Sequence, residues 1–264
     1  MQKAGPFLHN RIRRGHTILK TARLAPQRAM GGTDMAMHLK GERTLCFHNK
    51  PHAAAGASVV SFNEGAGPLG QHFDVVLEDD LWGEDSFEKA ECKMFERAVE
   101  LSLQKAHIEK RALHCLLGGD LLNQIITANY AARALTSPFL GLYGACSTMA
   151  EALLIGALLI DGCYADNCAC IASSHFSSAE RQYRYPLEMG TTNPPTAQRT
   201  VTGAGCTVLK DKPAKDDPFQ SVVLTGGTIG KVVDLGVTDA NNMGAAMAPP
   251  NVRIGPYQRN GANA

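Results

Sequence analysis

Short, wholly apolar runs alternate with segments of helical period through the middle of this chain, and that alternation fixes the class of fold. Leu113 to Leu117, Phe139 to Tyr143 and Ala169 to Ala172 each predict a buried strand bounded by Gly, Pro, Asp or Ser. A helix is predicted from about Phe87 to Ala106, with Phe87, Ala90, Met94, Ala98 and Leu101 on one face and Asp85 with Glu88 as its capping box. Thr127 to Leu135 predicts a short helix and Met149 to Ile160 a long apolar one. Val201 to Leu209 and Phe219 to Thr225 predict the last strands, joined through the charged turn Lys210 to Asp217. Gly65-Ala66-Gly67-Pro68-Leu69-Gly70 reads as a loop, and residues 1–34 offer no convincing element. Strands apolar on both faces need cover on both sides. The expected fold is therefore α/β, a parallel or mixed sheet layered between helices.

With 44% hydrophobic and 19% charged residues, the 264-residue chain has the composition of a globular protein with ample core. No run approaches the ~18 apolar residues of a membrane span. The net charge of +1 conceals an asymmetry: residues 1–50 hold ten Lys/Arg and two Asp/Glu, a net of +8, and the remainder carries −7. The acidic remainder argues against nucleic acid as a partner. The eight cysteines lack scaffold spacing, so free thiols are expected. Cys163, Cys168 and Cys170 have no CxxC or His pair to complete a zinc set, and no metal is expected.

Loops at the C-terminal ends of such strands are where ligands collect. Three of them carry reactive groups: Asp120, Cys146 and His175. In Gly144-Ala145-Cys146-Ser147-Thr148, small residues permit a sharp strand-to-helix turn, and the first helical N–H groups would favour a thiolate at Cys146. That is the construction of a cysteine nucleophile. The plainer reading is a buried small apolar residue. His175 is the one histidine in such a loop, and it reads as a partner for the thiol or as an ordinary hydrogen-bonding residue. Asp120 reads as a helix cap for the Thr127 segment or as an acceptor in the pocket.

The segments Gly119-Asp120-Leu121-Leu122-Asn123-Gln124, Thr127 to Arg133, Pro138 to Thr148, Ala179 to Pro186, Val201 to Gly205, Thr238-Asp239 and Met243 to Pro249 resemble, in the same order, those of the stage V sporulation protein AD family of spore-forming bacteria. The resemblance implies a thiolase-like fold, related to the condensing enzymes that make β-ketoacyl chains. It covers 37–249 as the N-terminal half of the duplicated architecture, with 1–36 as a basic extension ahead of the family's start and 250–264 as an aberrant tail. A translated leader or a misplaced start is the expectation for the extension. The resemblance further implies a soluble protein that binds dipicolinic acid for uptake into the developing spore. Its implied place is the cytoplasm, held at the forespore inner membrane by the membrane components of the uptake system.

The same resemblance points to Asp120 and Cys146 as pocket-lining positions, and it implies no cofactor. A dicarboxylate needs donors, so Arg181 and Arg184 are candidates for bidentate capture, with the helix N-terminus behind Cys146. A solvated surface or a structural ion pair is an equal reading of both arginines. Condensing enzymes take their catalytic His and Asn, or second His, from the half that has no match here. Cys146 is therefore expected to serve as a pocket wall. An acyltransferase using Cys146 is the alternative, as is a truncated chain that does neither and whose exposed face favours a homo-oligomer.

Overall fold

A computed structural model describes residues 39–40, 43–121, 126–183, 200–212, 222–231 and 236, all within the compact unit Ala36–Ala264. The strands are β1 (Leu39–Lys40), β2 (Thr44–Cys46), β3 (His52–Val60), β4 (Val75–Val76), β5 (Cys115–Asp120), β6 (Phe139–Gly141), β7 (Asn167–Ser174), β8 (Gly203–Lys210) and β9 (Gly226–Thr228). The helices are α1 (Phe62–Gly65), α2 (Phe87–Lys105), α3 (Ile126–Leu135), α4 (Thr148–Asp161) and α5 (Phe176–Tyr183). The segments expected at 1–36 and 250–264 lie outside the described residues.

Six strands form one mixed sheet in the order β4-β3-β8-β7-β5-β6. β8 runs antiparallel to both of its neighbours, and the other adjacent pairs are parallel. Side chains alternate faces along each strand. On one face Val59, Leu116, Ala169, Ile171, Ala204, Cys206 and Val208 pack against α2 and α3 through Met94, Phe95, Ala98, Ala128 and Leu135. On the other, Leu117, Cys168, Cys170 and Leu209 pack against α4 through Ala152, Ala157 and Ile160. Cover on both faces is what apolar strands require, and the layered α/β class expected from the sequence is the architecture observed.

Three local readings change. The capping residue of α2 is Ser86, whose Oγ accepts from the Lys89 backbone N–H at 3.2 Å. Asp85 instead pairs with Lys89 Nζ at 2.7 Å on the exposed surface. Secondly, β3 has no counterpart in the sequence reading. Its His-Ala-Ala-Ala-Gly-Ala-Ser-Val-Val run is poor in the β-branched and aromatic residues that announce a strand. Eight register partners on β8 hold it extended. Finally, the strand expected over Phe219–Thr225 falls later. Among its described residues Val223 makes only an isolated bridge to His52. The strand proper is β9, joined with β1 and β2 in a separate antiparallel sheet. Glycine suits that position, because a Cβ on Gly226 would lie 2.5 Å from the Leu45 carbonyl oxygen of β2.

Candidate functional site

The chain leaves β6, turns through Gly144 and a short 3-10 turn at Ala145–Ser147, and enters α4 at Thr148. Two features make the turn tight. Ala145 adopts φ +46°, the left-handed region that costs a residue with a Cβ about 1–2 kcal/mol. Gly144 is closely hemmed in, since a Cβ there would lie 3.0 Å from the Thr148 backbone nitrogen and would displace the side chains of Ser147 and Glu151. The Ser147 hydroxyl donates to the Gly144 carbonyl at 2.9 Å and closes the turn on itself. The outcome is an exposed Cys146 immediately ahead of a 14-residue helix. The unpaired N–H groups of that helix favour an anion at this end.

Cys146 lines a cavity of ≈ 330 Å³ at the C-terminal edge of the parallel strands. Its floor follows from register. Ser58, Gly205 and Ala172 form one transverse row over β3, β8 and β7, and Val60, Gly203 and Ser174 form the next. All six belong to the lining, with Ala145 and Cys146 on one side and Phe73 and Val201 among the other walls. Apart from Val60, the floor is thus made of small side chains. Its two hydroxyl residues are tied locally: Ser174 donates to the Val201 carbonyl, and Ser58 accepts from the Asp74 N–H at 3.5 Å.

The other strand-end residues take different places. Asp120 is 1% exposed, and its Oδ2 accepts from the Ala128 N–H at 3.0 Å. It caps the first turn of α3, the alternative reading of this residue. In the pleat it shares the α2 side with Ser173, its register partner, whereas Cys146 precedes α4 on the opposite side. His175 is wholly buried. Its Nε2–H donates to the Asp80 carbonyl at 2.7 Å and its Nδ1 accepts from the Ser177 N–H at 3.2 Å. A carbonyl only accepts and an amide only donates, so this tautomer is fixed and leaves no free lone pair for a thiol proton. Neither residue is among the described lining of the cavity. Arg181 lies in α5, which follows the cavity edge of β7; its side chain and all of Arg184 lie outside the described residues.

Beneath the α2 side sits a group that sequence reading missed. Glu91 is 1% exposed and Ser173 Oγ–H donates to its Oε1 at 2.8 Å. Burial, reinforced by the charges of Asp120 and Glu88 against the opposing help of Ser173 and Ser178, pushes its carboxyl up to about 8. The only available signal was a glutamate one residue along from an apolar face. Among the described residues no cluster of three or more His, Cys, Asp or Glu could hold a metal ion. Burial also pushes the Cys168 and Cys206 thiols up to about 12 and Cys170 well above its ordinary value.

Solved structures similar to this one include a cerulenin-bound variant of OleA from Xanthomonas campestris, at TM-score 0.47 and 14% identity over 71% of this chain and 64% of that one. Another is 3-oxoacyl-[acyl-carrier-protein] synthase III from Aquifex aeolicus, at TM-score 0.42 and 17% identity over 63% of this chain and 55% of that one. The stage V sporulation protein AD of Bacillus subtilis is 42% identical over 213 residues, which are 81% of this chain and 61% of that protein. The chain thus spans about three-fifths of the length of that relative. The family model described as stage V sporulation protein AD matches residues 41–255. With a match over most of its length and that identity, the chain belongs to the stage V sporulation protein AD family.

Proposed function

We propose that this chain binds dipicolinic acid and serves its uptake into the developing spore, in concert with membrane components at the forespore inner membrane. The observation that carries the reading is the cavity itself: an exposed thiol at the head of α4 facing a floor of small residues. Such a site accommodates a small anion, with the helix N-terminus favouring its charge. Arg181 and Arg184 are the candidate carboxylate donors, since guanidinium forks match carboxylates two bonds at a time. Among the described residues no helix is long and apolar enough to cross a membrane, which suits recruitment through partners.

The acyltransferase reading needs a base at Cys146. Among the described residues none hydrogen-bonds its Sγ, and His175 is committed elsewhere. A binding role asks for no base.

Calorimetric titration of dipicolinate into the full chain tests the reading. Saturable binding is expected in the wild type, with loss in Cys146→Trp and a clear weakening in the Arg181→Ala, Arg184→Ala double variant. Absence of wild-type binding overturns it, and affinity unchanged by the double variant removes the arginines from the site. Incubation with an acyl-CoA followed by mass spectrometry separates the enzyme reading: a trapped acyl group on Cys146 would favour it.

A further inference from the structure

Gly203 and Gly205 stand two residues apart on β8, in adjacent rows of the cavity floor, and their surroundings differ. A Cβ on Gly203 would meet the Val59 carbonyl oxygen at 2.8 Å and Val60 Cγ1 at 3.1 Å, so packing against β3 accounts for that glycine. A Cβ on Gly205 would meet no atom of the described residues within 4 Å. Its φ is not in the left-handed region either, so the backbone conformation does not call for glycine. Within a strand, glycine costs stability relative to alanine, because it loses more freedom on folding and packs no side chain. Among the described residues, packing therefore gives Gly205 no reason to be glycine. What its missing side chain does supply is space, and that space is the centre of the floor. Ser58 flanks it on β3 and Ala172 on β7, and both are short.

We infer that Gly205 is a size-selecting position: the absence of a side chain between Ser58 and Ala172 sets the depth of the cavity that Cys146 walls. The inference deepens the binding role proposed for that cavity and rests on it for the identity of the ligand. A methyl group at 205 raises the floor under a bound molecule, and a branched side chain fills the ligand's place. Fold is spared in the alanine variant because the added atom has open space to enter.

Dipicolinate titrated into the full chain and into Gly205→Ala, Gly205→Val and Gly205→Leu variants is the test. Gly230→Ala is the control, since its Cβ also meets nothing within 4 Å and Gly230 is exposed and outside the cavity lining. The control is expected to bind like the wild type. Alanine at 205 weakens binding, and valine or leucine weakens it by roughly tenfold or more, the usual scale for extra methylenes in a fitted site. Urea unfolding of the Gly205→Ala variant shows no loss of stability. Wild-type affinity in the alanine variant together with any folded larger variant overturns the inference. Should the wild type itself not bind dipicolinate, the ligand assignment fails while depth is still measured by alkylation of Cys146. N-phenylmaleimide is then expected to react more slowly in Gly205→Leu than in the wild type, with iodoacetamide less affected. Equal maleimide rates would show that residue 205 does not govern access to the thiol.

Discussion

At the scale of single residues, the cysteines divide by environment and not by spacing. Cys146 and Cys163 are exposed, whereas Cys168, Cys170 and Cys206 are buried with thiols pushed far from ionisation. Alkylation requires the thiolate and access to it. Brief iodoacetamide treatment near neutral pH is therefore expected to modify Cys146 and Cys163 while leaving those three unlabelled until denaturant is added. Peptide mass spectrometry reads the pattern, and early labelling of Cys170 would refute the burial argument. Cys146 was legible because Gly-Ala-Cys between a strand and a helix is a local pattern. Glu91 was not, since nothing in its neighbours distinguishes a buried carboxyl from a solvated one at the edge of a helix face.

Among the elements, α2 shows how a cap is chosen. Asp85 and Ser86 are adjacent cap-type residues, and it is Ser86, extended at φ −149° and ψ 156°, whose side chain accepts from the Lys89 N–H. The Ser86→Ala variant is expected to lose about 1 kcal/mol of stability, the usual cost of removing a cap. Chemical denaturation checks it. Asp85→Ala leaves the cap intact and removes only an exposed ion pair, so its midpoint should move little. The helix α4 is set by a different device. A Cβ on Gly156 would lie 3.0 Å from Cys170 Sγ and 3.2 Å from Leu117 Cδ1, so the glycine lets an apolar helix settle close on the sheet.

For the whole molecule, Glu91 ties folding stability to pH. Its carboxyl titrates near 8 when folded, above its ordinary 4.5 in an unfolded chain. The folded state thus holds the proton over a range where the unfolded state has released it. The stability contributed by the protonated form is complete below the unfolded value and is lost as pH rises from about 4.5 to about 8. Urea unfolding between pH 5 and 9 should show this decline in the wild type. Glu91→Gln, which cannot ionise and can still meet Ser173, should flatten it. Identical pH profiles would mean that Glu91 is not the linked group. The buried carboxyls of Glu91 and Asp120 belong to the α2 side of the sheet, and Ser173, which donates to Glu91, also lines the cavity beside Cys146, so this linkage reaches the edge of the cavity through Ser173.

The amino-acid sequence by itself determined the succession α2, β5, α3, β6, α4, β7 and β8, the two-sided cover of the sheet, the sharp turn at Cys146 and the family. These depend on residues close together in the chain: apolar period, turn chemistry and contiguous motifs. It also placed Asp120, Cys146 and His175 at strand ends. Only the tertiary structure decided which of them share a space. Alternation sends neighbouring strand-end side chains to opposite faces, and Asp120 turns to α3, His175 to the Asp80 carbonyl and Cys146 to a cavity floored by β3 and β8. The alanine-rich β3 and the open space above Gly205 are equally long-range matters, because pairing and empty volume are set by strands far apart in the sequence.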